Sequence, residues 1–207
     1  MILAIETSAE PASVALLTSS GEILSKSFPN HNKVNTLLAD QLADLLDQHD
    51  IQTILVGAGP GSYSGARVGL ATAEAIALVH NAEVILIPSI KGVEDNARIL
   101  IGDARQGTYF LQHPSDNTPK VMTKDELIPY LQRITEENTF MTFEDVQKLK
   151  ALPLDLSKIV VTPSTAAQLI ALWNDLTHVK KNLLRTNEQK IIYLKPPNIT
   201  QPKNPFA

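Results

Sequence analysis

Residues 57–69 read GAGPGSYSGARVG, five glycines and a proline in thirteen positions. The apolar run TILV (53–56) precedes them, and an alanine-rich stretch (70–79) follows. A short apolar run, a glycine-dense break and an alanine-rich stretch predict a strand, a tight loop and a helix. Such a loop lets another backbone or an anion approach where a side chain would block it. The chain around it must therefore be an α/β structure that closes over this loop or presents it.

The familiar phosphate loops do not fit. A P-loop needs a lysine in its signature, and none lies between Lys33 and Lys91. A dinucleotide fingerprint places Gly57 and Gly59 correctly but puts Ser62 at its third glycine. The strand that follows ends in Pro88-Ser89 and lacks the expected acid. Residues 61–65 (GSYSG) resemble a nucleophile elbow, but Tyr63 stands where the serine should be. Ser62 and Ser64 read as helix caps or loop donors.

The rest of the first half reads as strands at 2–6, 12–18 and 22–28, a helix at 35–48, a strand at 53–58, a helix at about 64–80 and a strand at 84–87. The second half opens alike. ILAIE-TSAEPA-SVALL and RILIGD-ARQG-TYFLQ both run strand, acid, short turn, strand, which predicts an internal duplication. A helix is expected at 124–134, a strand at 158–161 and a helix from 164 to about 176. Four prolines after Tyr193 predict an extended or disordered tail. The expected division is an N-terminal lobe at 1–97, a C-terminal lobe at 98–195 and a tail at 196–207. Two similar lobes facing each other across a cleft are the architecture of the actin-like ATPases. In those proteins an acid ends each lobe's first strand and faces metal and phosphates; Glu6 and Asp103 are the equivalents here. Asp103-Ala-Arg105 reads either as an acid beside an anion-binding arginine or as a salt-bridged strand end.

Along the predicted second helix, Gly65, Gly69, Ala73 and Ala77 recur every four residues. The other side carries Val68, Leu70, Ile76, Leu78 and Val79. A helix apolar nearly all round is buried on both sides, by its own fold or by a partner. The reading favoured for the small stripe is a partner helix.

The absence of cysteine excludes a disulfide scaffold, a thiol nucleophile and Cys-ligated zinc. None of the five histidines pairs at metal-ligand spacing; His31 is the one considered for a site, with a structural role preferred. No metal is expected. The net charge of −4 divides into −6 over residues 1–100 and +2 over 101–207. An acidic first half is a poor platform for nucleic acid. The basic run Lys180, Lys181, Arg185, Lys190 and Lys195 reads as a solvated helix end and loop. No apolar run is long enough to span a membrane and no secretory signal is seen, so a cytoplasmic location is expected.

The opening ILAIETSAEPASVALL, the loop GAGPGSYSGARVGLATAEAIAL, the second-lobe start GDARQGTYF and the late IIYLK resemble the TsaB (YeaZ) family of tRNA threonylcarbamoyladenosine biosynthesis. The resemblance is strong over about 1–110 and returns at Tyr193-Leu194. It implies the two-lobed actin-like (ASKHA, ribonuclease H-like) α/β fold. It also implies a non-catalytic paralogue of TsaD, the subunit that transfers the threonylcarbamoyl group to the adenosine beside the anticodon. TsaD holds its metal through an H-x-x-x-H pair that this chain lacks. The implied partners are TsaD, TsaE through the complex with its own ATPase, a second copy when alone, and tRNA only through the complex. The resemblance implies no cofactor of the chain's own, with ATP at the TsaD interface left open.

On this reading the partner interface is Leu38, Leu42, Gly65, Val68, Gly69, Thr72, Ala73 and Ile76. The glycine loop is Gly57, Gly59, Gly61, Ser62, Gly65 and Arg67, and Glu6 and Asp103 are vestigial nucleotide-site acids. Tyr63, Ser64 and Lys195 replace the family's usual Phe, Thr and Arg. At 207 residues the chain is short for the family, which predicts a trimmed second lobe. The rival readings are a stand-alone ATPase or small-molecule kinase of this fold, and a metalloprotease, which the missing metal-ligand pair disfavours.

Overall fold

The computed structural model describes residues 1–30, 34–46, 49–93, 97–116, 118–134, 138–186 and 190–195. His31 and the proline-rich tail lie outside the described residues, as do the last two residues of the predicted first helix.

Apolar alternation at the N-terminus forms β1 (Ile2–Glu6), β2 (Ala12–Leu17) and β3 (Ile23–Phe28), an antiparallel meander. Helix α1 (Val34–Leu46) then crosses to β4 (Thr53–Gly57), which pairs parallel with β1. Helix α2 (Tyr63–His80) crosses to β5 (Glu83–Ile87), parallel to β4. The sheet order is β3-β2-β1-β4-β5. Ser62 caps α2, its side chain accepting from Gly65 N, and Asn81 ends the helix in the left-handed region at φ 52°.

The second half repeats this order. Strands β6 (Ile99–Asp103), β7 (Thr108–Gln112) and β8 (Lys120–Thr123) form the meander. Helix α3 (Lys124–Ile134) leads to β9 (Phe140–Thr142), parallel to β6 and paired on its other side with β10 (Val160–Val161). The order β8-β7-β6-β9-β10 matches the first sheet strand for strand. The reduction falls between β9 and β10. Two 3₁₀ turns, Val146–Leu149 and Leu156–Lys158, stand where the first half has α2.

Period-two alternation gives each strand two apolar faces. Leu3 and Ile5 of β1 pack towards Leu38, Leu42 and Ala73 of α1 and α2. Ala4 packs the other way, with Ala15, Leu55 and Ile85, against Leu169, Ile170 and Trp173 of helix α4 (Ala166–Asp175). Helix α4 follows the second sheet in sequence but lies on the first. Its capping box at Thr165 and Gln168 fixes its start, and Ala166 N donates to Ser13 Oγ on β2 at 2.9 Å. The expected grouping of 98–195 around the second sheet thus differs from the packing at its C-terminal end. Helix α5 (His178–Thr186) also returns to the first sheet. There Arg185 Nε bonds both oxygens of Glu83, at 2.9 and 3.0 Å. Lys181 and Arg185 lie over the Trp173 ring, so these two members of the basic run are packed rather than freely solvated.

Candidate functional site

The segment Glu6-Thr7-Ser8 leaves the end of β1 directly beneath the glycine loop and α2. Thr7 Oγ1 donates to Gly65 O at 2.8 Å, and Ser62 N donates to Ser8 O at 2.7 Å. A Cβ on Gly61 would overlap Ser8 O, one on Gly65 would overlap Thr7 O, and one on Gly69 would overlap the Thr7 hydroxyl. The small stripe is the seat of the chain's own backbone. This corrects the partner reading of Gly65, Gly69 and Ala73, which are buried within the first lobe. Leu38 and Leu42 are likewise core residues of α1 and meet no solvent-facing surface. Val68, Thr72 and Ile76 are half-buried at the flank of α2.

The outward side of α2 carries Arg67, Ala71, Glu74, Ala75, Leu78 and Val79. Leu78 is 87% exposed and Val79 82%. Small alanines beside two exposed aliphatics make a surface on which another helix could lie closely. The apolar side of larger residues in the sequence contained Leu78 and Val79. Its outward direction became legible only once the Thr7-Ser8 backbone was found on the glycine side.

Glu6 is 0% exposed. Its Oε1 accepts from Ser8 N at 2.8 Å and Ser8 Oγ at 2.7 Å, and its Oε2 accepts from Ser164 Oγ at 3.1 Å. The hydroxyls continue the chain of bonds. Ser8 Oγ lies 2.9 Å from Ser89 Oγ, Ser89 Oγ accepts from Gly59 N, and Ser164 Oγ also reaches Ser89 O at 3.0 Å. A Cβ on Gly57 would overlap the Glu6 carboxyl, so glycine there lets the acid lie flat on β4. This network joins β1, the glycine loop, the turn after β5 and the entry to α4, and it seals the acid in. Removing the Ser164 hydroxyl leaves Glu6 Oε2 buried without that donor. Ser164→Ala is expected to cost about 1–3 kcal/mol of stability, read as a lower urea midpoint at unchanged m-value.

Asp103 sits elsewhere. Its carboxyl accepts from Arg105 N at 2.8 Å and from the Arg105 guanidinium at 3.3 Å. Asp103 N in turn donates to Glu144 Oε2 at 2.8 Å, and Lys148 pairs with Glu144 at 3.2 Å. This is the salt-bridged strand end of the two readings. A cavity of about 300 Å³ opens beside it between the sheets. Gly61 and Tyr63 bound it on one side, Asp103, Arg105, Phe110 and Glu144 on the other, and residues 192–195 along a third. Glu6 does not line it. The two acids therefore do not converge on one cleft. Glu6, buried with both oxygens hydrogen-bonded, does not fit the metal-bound nucleotide that the actin-like architecture would otherwise imply.

Of the loop residues, Arg67 is the one whose side chain faces outward. Its guanidinium lies 4.2 Å from the Tyr63 ring, and its Nε donates to Tyr193 Oη at 3.2 Å. The bond to that hydroxyl favours the charged form and pushes the arginine pKa further up. The Tyr63 and Tyr193 rings pack 4.7 Å apart. Among the described residues, no group of three or more His, Asp or Glu is placed to hold a metal ion, and no helix is long and apolar enough to cross a membrane.

Comparison with known proteins agrees with this architecture. A family model described as TsaD, tRNA N6-adenosine threonylcarbamoyltransferase, matches residues 26–116. The tRNA threonylcarbamoyladenosine biosynthesis protein TsaB of Bacillus subtilis (strain 168) is 32% identical over 123 residues, covering 53% of this chain and 52% of that protein. The chain thus spans about half the length of the curated relative it matches. YeaZ from Pseudomonas aeruginosa superposes with a TM-score of 0.62 at 20% identity, over 84% of this chain and 90% of that one. A structure described as an uncharacterized protein with similarity to peptidase YEAZ from Pseudomonas aeruginosa gives a TM-score of 0.62 at 16% identity, over 93% and 98%. The resemblance to the TsaB (YeaZ) family is borne out, and the fold is the two-lobed actin-like, ribonuclease H-like one.

Proposed function

We propose that this chain is a non-catalytic subunit of tRNA threonylcarbamoyladenosine synthesis. It binds TsaD through the outward face of α2 and activates it for transfer of the threonylcarbamoyl group to the adenosine beside the anticodon. The observation that carries this reading is that face, with Leu78 and Val79 exposed beside Ala71 and Ala75. The name of the curated relative supports the pathway, and the TsaD-type match supports a paired assembly of similar folds. In this reading TsaE joins through the complex, tRNA is reached only within it, and a second copy covers the same face when TsaD is absent. The sealed Glu6 argues against the stand-alone kinase, which would need that acid free for metal and phosphate.

The test is threonylcarbamoyl transfer by TsaD and TsaE, with and without this chain. The chain is expected to raise the rate and to transfer nothing alone. Asp103→Asn keeps an acceptor for Arg105 N and is expected to retain stimulation within about twofold. A loss of about a hundredfold in a folded Asp103→Asn protein would give the acid a role in the chemistry and overturn the non-catalytic reading.

A further inference from the structure

The two sheets are joined covalently by two passages, one between Ile87 and Ile99 and one between Val161 and Ala166. Residues 192–195 add a second tie beside the first passage, where Ser89 bonds Gly59 of the glycine loop while Ile90 and Val93 pack among the core residues of the second lobe. Ile192 N donates to Ala58 O at 2.8 Å, continuing the hydrogen bonding of the glycine loop, and the Ile192 side chain packs against the core of the first lobe. The Tyr193 ring packs tilted against Tyr63, and its hydroxyl accepts from Arg67, both at the start of α2. Leu194 then crosses to the second sheet, where it packs against the cluster of Leu100, Ala104, Phe110 and Phe143. Lys195 Nζ reaches Arg105 O in the β6–β7 turn at 3.4 Å. Consecutive residues thus grip opposite lobes, and the same residues wall the cavity between them.

The geometry points to a releasable clasp: residues 192–195 hold the two lobes in their closed relation, and their release opens the cavity wall and frees the start of α2. The holding contacts are of the kind that open locally. They comprise one backbone hydrogen bond and the partly buried Ile192 side chain, the Tyr193 ring, 39% exposed and bonded to Arg67 through its hydroxyl, one half-buried leucine and the exposed bond from Lys195 to Arg105 O. The core strands on either side are buried and would stay folded. Arg67 lies on the outward side of α2, so a partner covering that side touches the clasp; this last consequence alone rests on the function proposed above.

The test uses the isolated full chain. With no native cysteine, spin labels can be placed at Ser25→Cys on β3 and Asp125→Cys on α3, one over each sheet, both at exposed positions. The parent chain is expected to give one narrow distance distribution. Tyr193→Ala with Leu194→Ala is expected to broaden and shift it by several ångströms. The Ile192 amide should exchange at least tenfold faster, with the β1 and β4 amides unchanged. Tyr193→Ala alone, which removes a half-exposed ring, is the second variant should the double change unfold the chain; a broadened distribution is expected there too. An unchanged distribution in a folded variant whose Ile192 amide is released would overturn the clasp. Loss of β1 and β4 protection in Tyr193→Ala would also overturn it, because the segment would then be part of the core.

Discussion

Gly65→Ala is expected to be strongly destabilising. The added methyl would overlap the Thr7 carbonyl, a backbone atom that cannot step aside by changing rotamer. Thr7 Oγ1 donates to Gly65 O, and Ser62 N donates to Ser8 O just before the helix. Lifting α2 to admit the methyl therefore breaks both bonds and opens the core under Ala73. Overpacking against fixed backbone combined with lost buried hydrogen bonds is expected to cost upwards of about 3 kcal/mol, a large part of a domain's stability. Urea unfolding by circular dichroism reads this directly. Ala71→Leu, one helical face away and exposed, is the matched control and is expected to stay within about 0.5 kcal/mol of the parent. A Gly65→Ala protein with the parent's unfolding midpoint would show that α2 does not sit on the Thr7-Ser8 backbone as described.

Leu78→Asp with Val79→Asp is the converse case. Both side chains are more than four-fifths exposed, so two carboxylates there displace almost no core contact. The thermal midpoint is expected to move by no more than a few degrees. Association through this face should fall by at least a hundredfold, because binding would bury two charges against an apolar partner. Sedimentation of the chain alone, and of the chain with TsaD, measures both consequences. An unfolded variant is not expected. A folded variant that associates as the parent does would remove the α2 face from the interface.

Much of the fold is legible in the sequence because it rests on local signals. Strict apolar runs mark β1, β2, β4 and β6. Ser62 and the glycines mark the entry to α2, and the matching ILAIE and RILIGD starts announce two sheets of one topology. Other elements exist through pairing alone. Strand β9 has three residues, too few to show a period of its own, whereas the two residues of β10 fall within the strand expected at 158–161. Strand β8 is short and mostly exposed, and α5 buries no residue fully, so neither shows a strong inward stripe. The return of α4 to the first sheet rests on long-range contacts, the packing of Leu169, Ile170 and Trp173 against Ala4, Ala15, Leu55 and Ile85 and a bond from Ala166 N to Ser13 Oγ across 153 positions.

The site follows the same division. The stripe of small residues is plain in the sequence, but the side on which another backbone lies is set by Thr7 and Ser8, some sixty positions away. Gly65, Gly69 and Ala73 therefore face the chain's own backbone, where the sequence pattern alone suggests a partner helix. The equivalence of Glu6 and Asp103 as strand-ending acids is visible and correct as topology. Their environments are not visible. Ser164, 158 positions from Glu6, closes one acid, while Arg105, two positions from Asp103, holds the other.

Binding of TsaD through the outward face of α2 is measured by light scattering of the purified chain mixed with TsaD from the same source, run beside the Leu78→Asp, Val79→Asp variant. A one-to-one complex is expected with the parent chain and separate components with the variant. A parent chain that stays free of TsaD, and binds ATP and magnesium tightly by calorimetry on its own, would contradict it.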